Sequence, residues 1–156
     1  MARTLRLAVS LCALAGALPA LAQTVEAPPS PPLAPAWTFQ DAGLQWGPCP
    51  PFLPEGCAIA VLHGDPAKAN ADVFFRVPGG ASVPRHRHTS AERMVLVSGE
   101  MRVTYDGQDE VVLRPGSYAY GPANLPHAAT CAAGDPCVLF IAFESPVDAV
   151  AMPVGE

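Results

Sequence analysis

The stretch that decides the fold is GASVPRHRHTSAERMVLVSG, residues 80–99. It contains His86 and His88, two residues apart, and Glu92 four residues further on. Because alternate residues of a β-strand point to the same face, both imidazoles are expected to enter one space. Imidazole and carboxylate groups that converge in this way suit a divalent transition metal. The stretch therefore predicts a metal site carried by β-strands.

A lone histidine on a strand is more often solvated, or satisfied within a core, than bound to a metal. Here the pair and the carboxylate lie between Gly80 and Gly99 in the spacing Gly-x5-His-x-His-x3-Glu-x6-Gly. This spacing resembles the first metal-binding motif of the cupin family, with every fixed position filled. The resemblance implies an all-β protein with a double-stranded β-helix, or jelly-roll, barrel. It also implies that His86, His88 and Glu92 are metal ligands.

A second stretch, PGSYAYGPANLPH at residues 115–127, resembles the second cupin motif, whose spacing varies within the family. That motif ends in a histidine that completes the metal site, so the resemblance implies His127 as the fourth ligand. His63, which precedes a Gly-Asp pair, is expected to be a surface residue at a strand end. The resemblance covers roughly residues 58–144.

The rest of that region independently favours a β-fold. Its short apolar runs are separated by Gly and Pro turns, and Asp106-Gly107 is the strongest hairpin signal. No run has convincing helical periodicity, which favours an antiparallel sandwich or barrel. The first motif is expected to supply its own strands, among them 92–97. The other predicted strands are 58–63, 72–77, 100–105, 109–114, 117–120, 127–130 and 137–144.

Strand alternation predicts which neighbours face the site. Counting from Glu92, Met94 and Leu96 should point inward with it. The nearby arginines should point away from the metal, and further cavity-lining side chains are expected on the next strand. The expected outward residues are Arg85, Arg87 and Arg93, and the expected lining residues are Met101, Val103 and Tyr105. The result would be a mostly apolar pocket suited to a small organic ligand.

The amino terminus is typical of a secretory signal peptide, residues 1–22. Arg3 and Arg6 precede an apolar run of about 12 residues, and Ala20-Leu21-Ala22 predicts cleavage before Gln23. That run is shorter than the ~20 residues of a membrane span, although an uncleaved anchor is the alternative. We therefore expect a periplasmic or secreted protein with no membrane contact in its mature form.

Removal of that segment would leave 7 basic and 14 acidic residues, a net charge of −7 with neutral histidines. Such a chain is a poor nucleic-acid binder. Residues 23–36 are rich in proline and predict an extended linker. Residues 37–57 predict an irregular segment packed along the outside of the barrel. The cupin domain is expected at 58–148, followed by a tail at 149–156.

Four cysteines remain after cleavage. An even number in an exported domain predicts two disulfides, and three connectivities are possible. We expect the local one, which joins Cys49 to Cys57 and Cys131 to Cys137. Metal binding by these cysteines is disfavoured because neither spacing is that of a zinc site.

The ligand set implied by the resemblance predicts one divalent transition metal, Fe, Mn, Ni, Cu or Zn, with open positions for a ligand. The expected function is a metal-dependent enzyme acting on a small molecule, an oxygenase (dioxygenase) or an isomerase, with Glu92 as a catalytic base. The alternative is a non-catalytic module that binds or senses a metal or small ligand. A metal-free, epimerase-like role is disfavoured because all four ligands are present. Cupins often dimerise through sheet edges, so the family prior is a homodimer.

Overall fold

The structure, a computed structural model, describes residues 33–153. The predicted signal peptide, 1–22, and most of the predicted linker lie outside this range. Within it the chain forms eleven strands and no helix, so no described helix could cross a membrane. The strands are β1 (Trp46–Pro48), β2 (Ala58–His63), β3 (Ala71–Val77), β4 (Ser82–Arg87), β5 (Glu92–Ser98), β6 (Met101–Tyr105), β7 (Val111–Leu113), β8 (Tyr118–Gly121), β9 (His127–Cys131), β10 (Cys137–Phe143) and β11 (Val150–Ala151).

The strands form two antiparallel sheets. The six-stranded sheet has the order β1-β2-β3-β10-β5-β8, and the five-stranded sheet has the order β11-β4-β9-β6-β7. The all-β, antiparallel prediction is therefore confirmed. No strand ladder joins the two sheets within residues 33–153, so hydrogen bonding does not close them into the expected barrel.

The predicted strands match the observed ones to within one or two residues, and two short strands were not predicted. β1 lies inside the segment expected to be irregular, and β11 lies inside the expected tail. Both are edge strands of two or three residues that pair with longer neighbours, β2 and β4. Such short pairings depend on the neighbouring strand and leave no periodic pattern in the sequence.

The main core lies between the sheets and is built from their inward-facing side chains. β3, β5, β6 and β10 contribute most of its least exposed residues. Alternation within β5 follows the predicted parity, because Glu92, Met94 and Leu96 are buried and Arg93 is exposed. The apolar residues of this main core include Val73, Val77, Leu96, Met101, Leu139 and Ile141.

A second apolar cluster covers the outer face of the six-stranded sheet. Leu44 and Trp46 from the amino-terminal segment pack there with Phe74 and Val138. Because β10 is thereby covered on both faces, most of its residues are buried, in agreement with its nearly continuous apolar sequence. This part of the 37–57 segment thus packs on the outer face of the sheet and adds the edge strand β1 to it.

The same segment also reaches the space between the sheets, which was not expected. Leu53 belongs to the main core, and the ring centroid of Phe52 lies 6.1 Å from that of His86. The turn that brings them there is closed by the cysteine pair of Cys49 and Cys57, whose Cα atoms are 5.7 Å apart. The short loop closed by this cysteine pair reverses the direction of the chain, so side chains within the loop can point into the core.

Both cysteine pairs have the local connectivity. Cys131 and Cys137 lie at disulfide distance across the β9–β10 turn, with Cα atoms 5.7 Å apart, and both are fully buried. Two cysteine pairs at disulfide distance fit an oxidising compartment.

Candidate metal centre

Strand pairing brings together residues that are distant in sequence. His86 on β4 is the register partner of His127, the first residue of β9. His88 directly follows β4, and Glu92 begins β5 on the opposite sheet. The four side chains predicted as ligands therefore line one cavity between the sheets.

The three histidines form a compact cluster. One ring nitrogen from each lies within 4.8 Å of those of the other two. The ring centroids are 4.3 Å apart for His86 and His127, 4.8 Å for His86 and His88, and 5.4 Å for His88 and His127. Among the described residues, this is the only group of three or more His, Cys, Asp or Glu side chains with such convergence.

Backbone carbonyls select the same nitrogen on each ring. The Nδ1 atom of His86 donates to the carbonyl of Pro84 at 2.8 Å, and that of His127 to the carbonyl of Leu125 at 3.3 Å. The Nδ1 atom of His88 donates to a third carbonyl, that of Asp148. With Nδ1 protonated, the lone pair of each neutral imidazole is on Nε2, the arrangement typical of metal-ligating histidines.

The cluster has dimensions that suit one ion. Nitrogen ligands bind such metals at about 2.0–2.1 Å, so two ligands of one ion are at most about 4.2 Å apart. A separation of no more than 4.8 Å can therefore be closed by small rotations of the rings. Three neutral nitrogen donors within this distance fit a divalent transition metal.

Burial keeps the three imidazoles in the form that binds metal. Desolvation, together with the neighbouring His88, lowers the pKa of His86 to about 4. Desolvation and the neighbouring His86 lower the pKa of His127 to about 3. The pKa of His88 is also lowered, mainly by desolvation. All three rings are consequently neutral at pH 7.

Glu92 lies beside the cluster but outside the group of three. Its Oε1 atom is 3.4 Å from Nε2 of His88, and the residue is only 3% exposed. Desolvation and the nearby Asp148 raise the pKa of Glu92 to about 8. A carboxyl group with this pKa is protonated at neutral pH unless a positive charge is present, so the side chain is prepared either to bind a cation or to exchange a proton.

The strand β4 contains a bulge, so two of its residues that are an odd number of positions apart both point into the core. Val83 and His86 are both buried although they are three residues apart, and the register with β9 shifts between them. The predicted outward arginines engage partners outside the cavity. Arg85 donates to Asp106, Arg87 donates to Asn124, and Arg93 forms an ion pair with Glu144.

The cavity has a volume of about 340 Å³, and most of its walls are apolar. Met94, Met101, Val103 and Tyr105 line it, as predicted. Leu96 is buried in the core but is not among the lining residues. His63 lies away from the site, exposed at the end of β2, in agreement with its predicted surface position.

Asp148 was not predicted as a site residue. Its carbonyl accepts the hydrogen bond from His88, and its carboxylate accepts from the backbone N–H of Thr89 at 2.9 Å and from the hydroxyl of Thr89 at 2.7 Å. It therefore holds the turn that carries His88. The local sequence SPVDAV contains no metal-motif spacing, so only the tertiary structure reveals this contact.

Tyr105 carries an unpaired polar atom. Its hydroxyl is buried, and it is the only buried side-chain nitrogen or oxygen in the described residues without a hydrogen-bond partner. Its ring lies beside His127, with centroids 4.7 Å apart, and desolvation and Glu92 raise its pKa. A methyl group placed on Gly121 would stand 2.7 Å from this hydroxyl and 3.0 Å from Oε2 of Glu92, so both atoms border the same small space.

Comparison with known families agrees with the fold and the cluster. The family model of the cupin domain matches residues 73–143, which contain all three histidines and Glu92. The matched region, residues 73–143, is a cupin domain. A search of curated protein sequences returned no significant match.

Several solved structures share the fold at low sequence identity. The DMSP lyase DddQ from Ruegeria pomeroyi DSS-3 superposes with a TM-score of 0.61 and 22% identity over 72% of this chain. The chain spans 64% of that protein, less than two thirds of its length. An RmlC-like cupin from Shewanella frigidimarina NCIMB 400 matches with a TM-score of 0.56 and 22% identity, over 73% of this chain and 93% of the other. KdgF from Halomonas sp. matches with a TM-score of 0.53 and 22% identity, over 67% and 89% of the two chains.

Proposed function

We propose that this protein is an exported cupin that holds one divalent transition metal and acts as an enzyme on a small molecule. His86, His88, His127 and Glu92 are the proposed ligands. The observation that carries the proposal is the common orientation of the three rings, each with Nδ1 bonded to a carbonyl and Nε2 left for a metal. Two of these histidines are buried and His88 is partly buried, and placing three imidazoles together in a core is costly unless their free nitrogens have a partner.

The two sheets fit a cupin jelly roll, the finer fold assignment that we propose. The six- and five-stranded sheets cover the two sides of the cavity, and the antiparallel order places the motif strands β4, β5 and β9 around it. The proposed domain boundaries are those expected from the sequence, with the cupin domain at 58–148. The segments on either side contribute a strand each, β1 and β11, to its sheets.

The chemistry of the proposed site divides between the metal and the chain. A bound ion of this kind supplies a Lewis acid or a redox centre next to the cavity. The chain supplies a desolvated pocket and one carboxyl group, Glu92, close enough to exchange a proton with a bound molecule. Without a bound ion, burial raises the pKa of Glu92 to about 8, so the carboxyl group holds a proton near neutral pH, and a bound cation would favour its release. The fold likeness to a lyase supports an enzyme by analogy alone.

A second candidate is a module that binds a metal or small ligand without turnover. Among the described residues that line the cavity there are two carboxylates, and both oxygens of Asp148 already accept hydrogen bonds from Thr89. If Glu92 remains bound to the metal, no carboxylate is left to act as a base. This observation favours binding over catalysis and makes Glu92 the residue to test.

Bound metal per chain, measured by elemental analysis, tests the ligand set. His86→Ala, His88→Ala and His127→Ala should each lose most of the metal, because each removes one of a few ligands. Glu92→Gln should weaken metal binding while the fold survives, because it keeps the shape and removes the only negative ligand.

His63→Ala is the matched control and should bind metal as the parent does, since His63 is exposed and distant from the cluster. Circular dichroism of each variant separates loss of metal from loss of fold. A His127→Ala variant that retains full metal, together with a His63→Ala variant that loses it, would refute the ligand assignment.

Export is supported by the two cysteine pairs at disulfide distance and by the expected signal peptide. The intact mass of the protein recovered from the export compartment should correspond to a chain that begins at Gln23. A mass that retains residues 1–22 would mean an uncleaved anchor instead.

A further inference from the structure

The charges around the cavity restrict what it can bind. Among the described residues that line it there is no Lys and no Arg, whereas two carboxylates, those of Glu92 and Asp148, are present. The three arginines of the first motif engage Asp106, Asn124 and Glu144 outside the cavity. Apart from the proposed metal ion, a ligand with several negative charges would therefore find no cationic group, and it would approach the carboxylate of Asp148.

The walls provide the opposite kind of surface. Val73, Phe75, Leu139 and Ile141 line the interior, and three further lining residues remain exposed. These are Val111, Tyr118 and Tyr120, with exposed fractions of 55%, 63% and 51%. Because they both line the cavity and contact solvent, they mark its mouth. Val111 lies on the edge strand β7 opposite the cavity-lining Val103, so the apolar surface continues from the interior to the entrance there. Tyr118 and Tyr120 lie on the edge strand β8 and alternate with the inward Ala119, the register partner of Met94.

One neutral donor interrupts this apolar surface near the cluster. The hydroxyl of Tyr105 is buried and unpaired, an arrangement that typically costs about 1–3 kcal/mol. Such a group at a functional site is readily explained if a ligand supplies the missing acceptor. The position of Tyr105 beside His127 and Glu92 places that acceptor at the proposed metal centre.

We propose that the cavity binds a small molecule with one oxygen-bearing polar head and an uncharged hydrocarbon or aromatic body. The hydroxyl of Tyr105 donates a hydrogen bond to the head, and the apolar walls enclose the body. The volume of about 340 Å³ lies near the lower end for ligand pockets, which limits the body to roughly one ring or a short chain. This inference rests on the proposed metal centre and specifies the substrate class of the same site.

Three hydroxamates that share one metal-binding head test the inference. Isothermal titration calorimetry on the full chain loaded with Co²⁺ compares acetohydroxamate, benzohydroxamate and 4-carboxybenzohydroxamate. Benzohydroxamate should bind at least about tenfold more tightly than acetohydroxamate, because its ring is buried against apolar walls. The added carboxylate should weaken binding at least about tenfold relative to benzohydroxamate.

Tyr105→Phe should lower the affinity for benzohydroxamate about two- to tenfold, the range for one hydrogen bond, without loss of bound cobalt. Thr104→Val is the control, because it removes a hydroxyl from the exposed face of the same strand, and its affinity should equal that of the parent.

The outcomes separate the two proposals. If none of the three hydroxamates binds the Co²⁺-loaded chain, the open metal centre is wrong, and the substrate class is refuted with it. If acetohydroxamate binds but the ring adds nothing, or the carboxylate costs nothing, only the substrate class is overturned. If Tyr105→Phe retains its cobalt and binds benzohydroxamate as tightly as the parent, the hydrogen bond from Tyr105 to the ligand head is refuted.

Discussion

At the scale of single residues, the orientation of each histidine ring in the cluster depends on the hydrogen bond that its Nδ1 atom donates to a backbone carbonyl. His86 and His127 bond to carbonyls two residues earlier, those of Pro84 and Leu125, so their orientation is a local property of their own strands. His88 bonds instead to Asp148, which is 60 residues distant. The orientation of His88 is therefore the part of the cluster that depends on tertiary structure.

The two glycines of the first motif have different roles, although both adopt a positive φ. Gly80 has φ of 80° and open space where a side chain would be, whereas Gly99 has φ of 78° and closely packed backbone there. A methyl group on Gly99 would stand 2.9 Å from Cα of Cys137 and 2.9 Å from the carbonyl oxygen of Pro136.

We therefore expect Gly80→Ala to lower the free energy of unfolding by about 1–2 kcal/mol, the cost of the left-handed conformation alone. Gly99→Ala should cost clearly more, because the clash is with backbone atoms that cannot rotate away. Denaturant titration of the two variants checks this order. Equal losses would mean that the β9–β10 turn shifts to make room.

At the scale of elements, the carboxyl-terminal segment forms part of the site. β11 pairs with β4 next to His86, and the carboxylate of Asp148 holds both polar groups of Thr89. Asp148, the last residue of the expected cupin domain, thus restrains the turn between β4 and β5, and β11, from the segment expected to be a tail, pairs with β4. Two of the proposed ligands flank that turn: His88 directly follows β4, and Glu92 begins β5.

Asp148→Ala should lower metal affinity about tenfold, because loss of a group that holds a ligand-bearing turn typically costs 10- to 100-fold and the carbonyl of residue 148 remains. Asp148→Asn keeps an acceptor for the N–H of Thr89 and should recover part of the loss. Competition with a metal-binding dye measures the affinities. Asp109→Ala, at an exposed position, is the control, and a loss equal to that of Asp148→Ala would contradict this role.

The cysteine pairs close two short connections, one before β2 and one between β9 and β10. Peptide mapping without reduction should show Cys49 linked to Cys57 and Cys131 linked to Cys137. Replacement of either pair by alanine should lower the free energy of unfolding by about 2–3 kcal/mol. Four free thiols in protein recovered from its own compartment would contradict both the pairing and the proposed export.

At the scale of the whole molecule, the buried site makes stability depend on pH. His86 and His127 have folded pKa values of about 4 and 3, below the unfolded value of 6.5. The unfolded chain binds their protons first as the pH falls below 6.5, so acid destabilises the fold. Glu92 has a folded pKa of about 8, above its unfolded value of 4.5, so the folded chain retains a proton that the unfolded chain releases. Raising the pH from 4.5 to 8 therefore destabilises the fold through Glu92.

The chelator-treated protein should accordingly be most stable near pH 6.5, where the protons bound by the half-protonated histidines of the unfolded chain balance the one that Glu92 holds in the folded chain. Stability should fall below that pH, because the two histidines of the unfolded chain bind more protons than Glu92 holds in the folded chain. It should also fall between pH 6.5 and 8, through Glu92, by up to about 1.4 kcal/mol per pH unit for one group. Urea titrations across this range measure the profile. Glu92→Gln should abolish the decline on the alkaline side, and a decline that persists in that variant would refute its assignment to Glu92.

By itself the sequence determined the β-strands and their turns, including the three strands that surround the site, β4, β5 and β9. Apolar alternation, Asp106-Gly107 and the motif glycines are local signals, and their physical causes, side-chain parity and backbone conformation, act within a few residues. The resemblance of two spaced motifs to cupins then identified the histidines that the structure clusters. These local signals contain no information on contacts between distant residues that follow no periodic pattern in the sequence.

Only the tertiary structure decided which distant groups meet. Asp148 reaches the turn of Thr89, Leu53 enters the core from a segment expected outside it, and the hydroxyl of Tyr105 loses its solvent without gaining a partner. Each depends on contacts between residues far apart in the chain, and for Tyr105 that contact is strand pairing with His127. Burial also shifted the histidine and Glu92 pKa values in opposite directions, because desolvation penalises the charged form of each group. Desolvation depends on all the surrounding atoms, so no local pattern in the chain could have specified it.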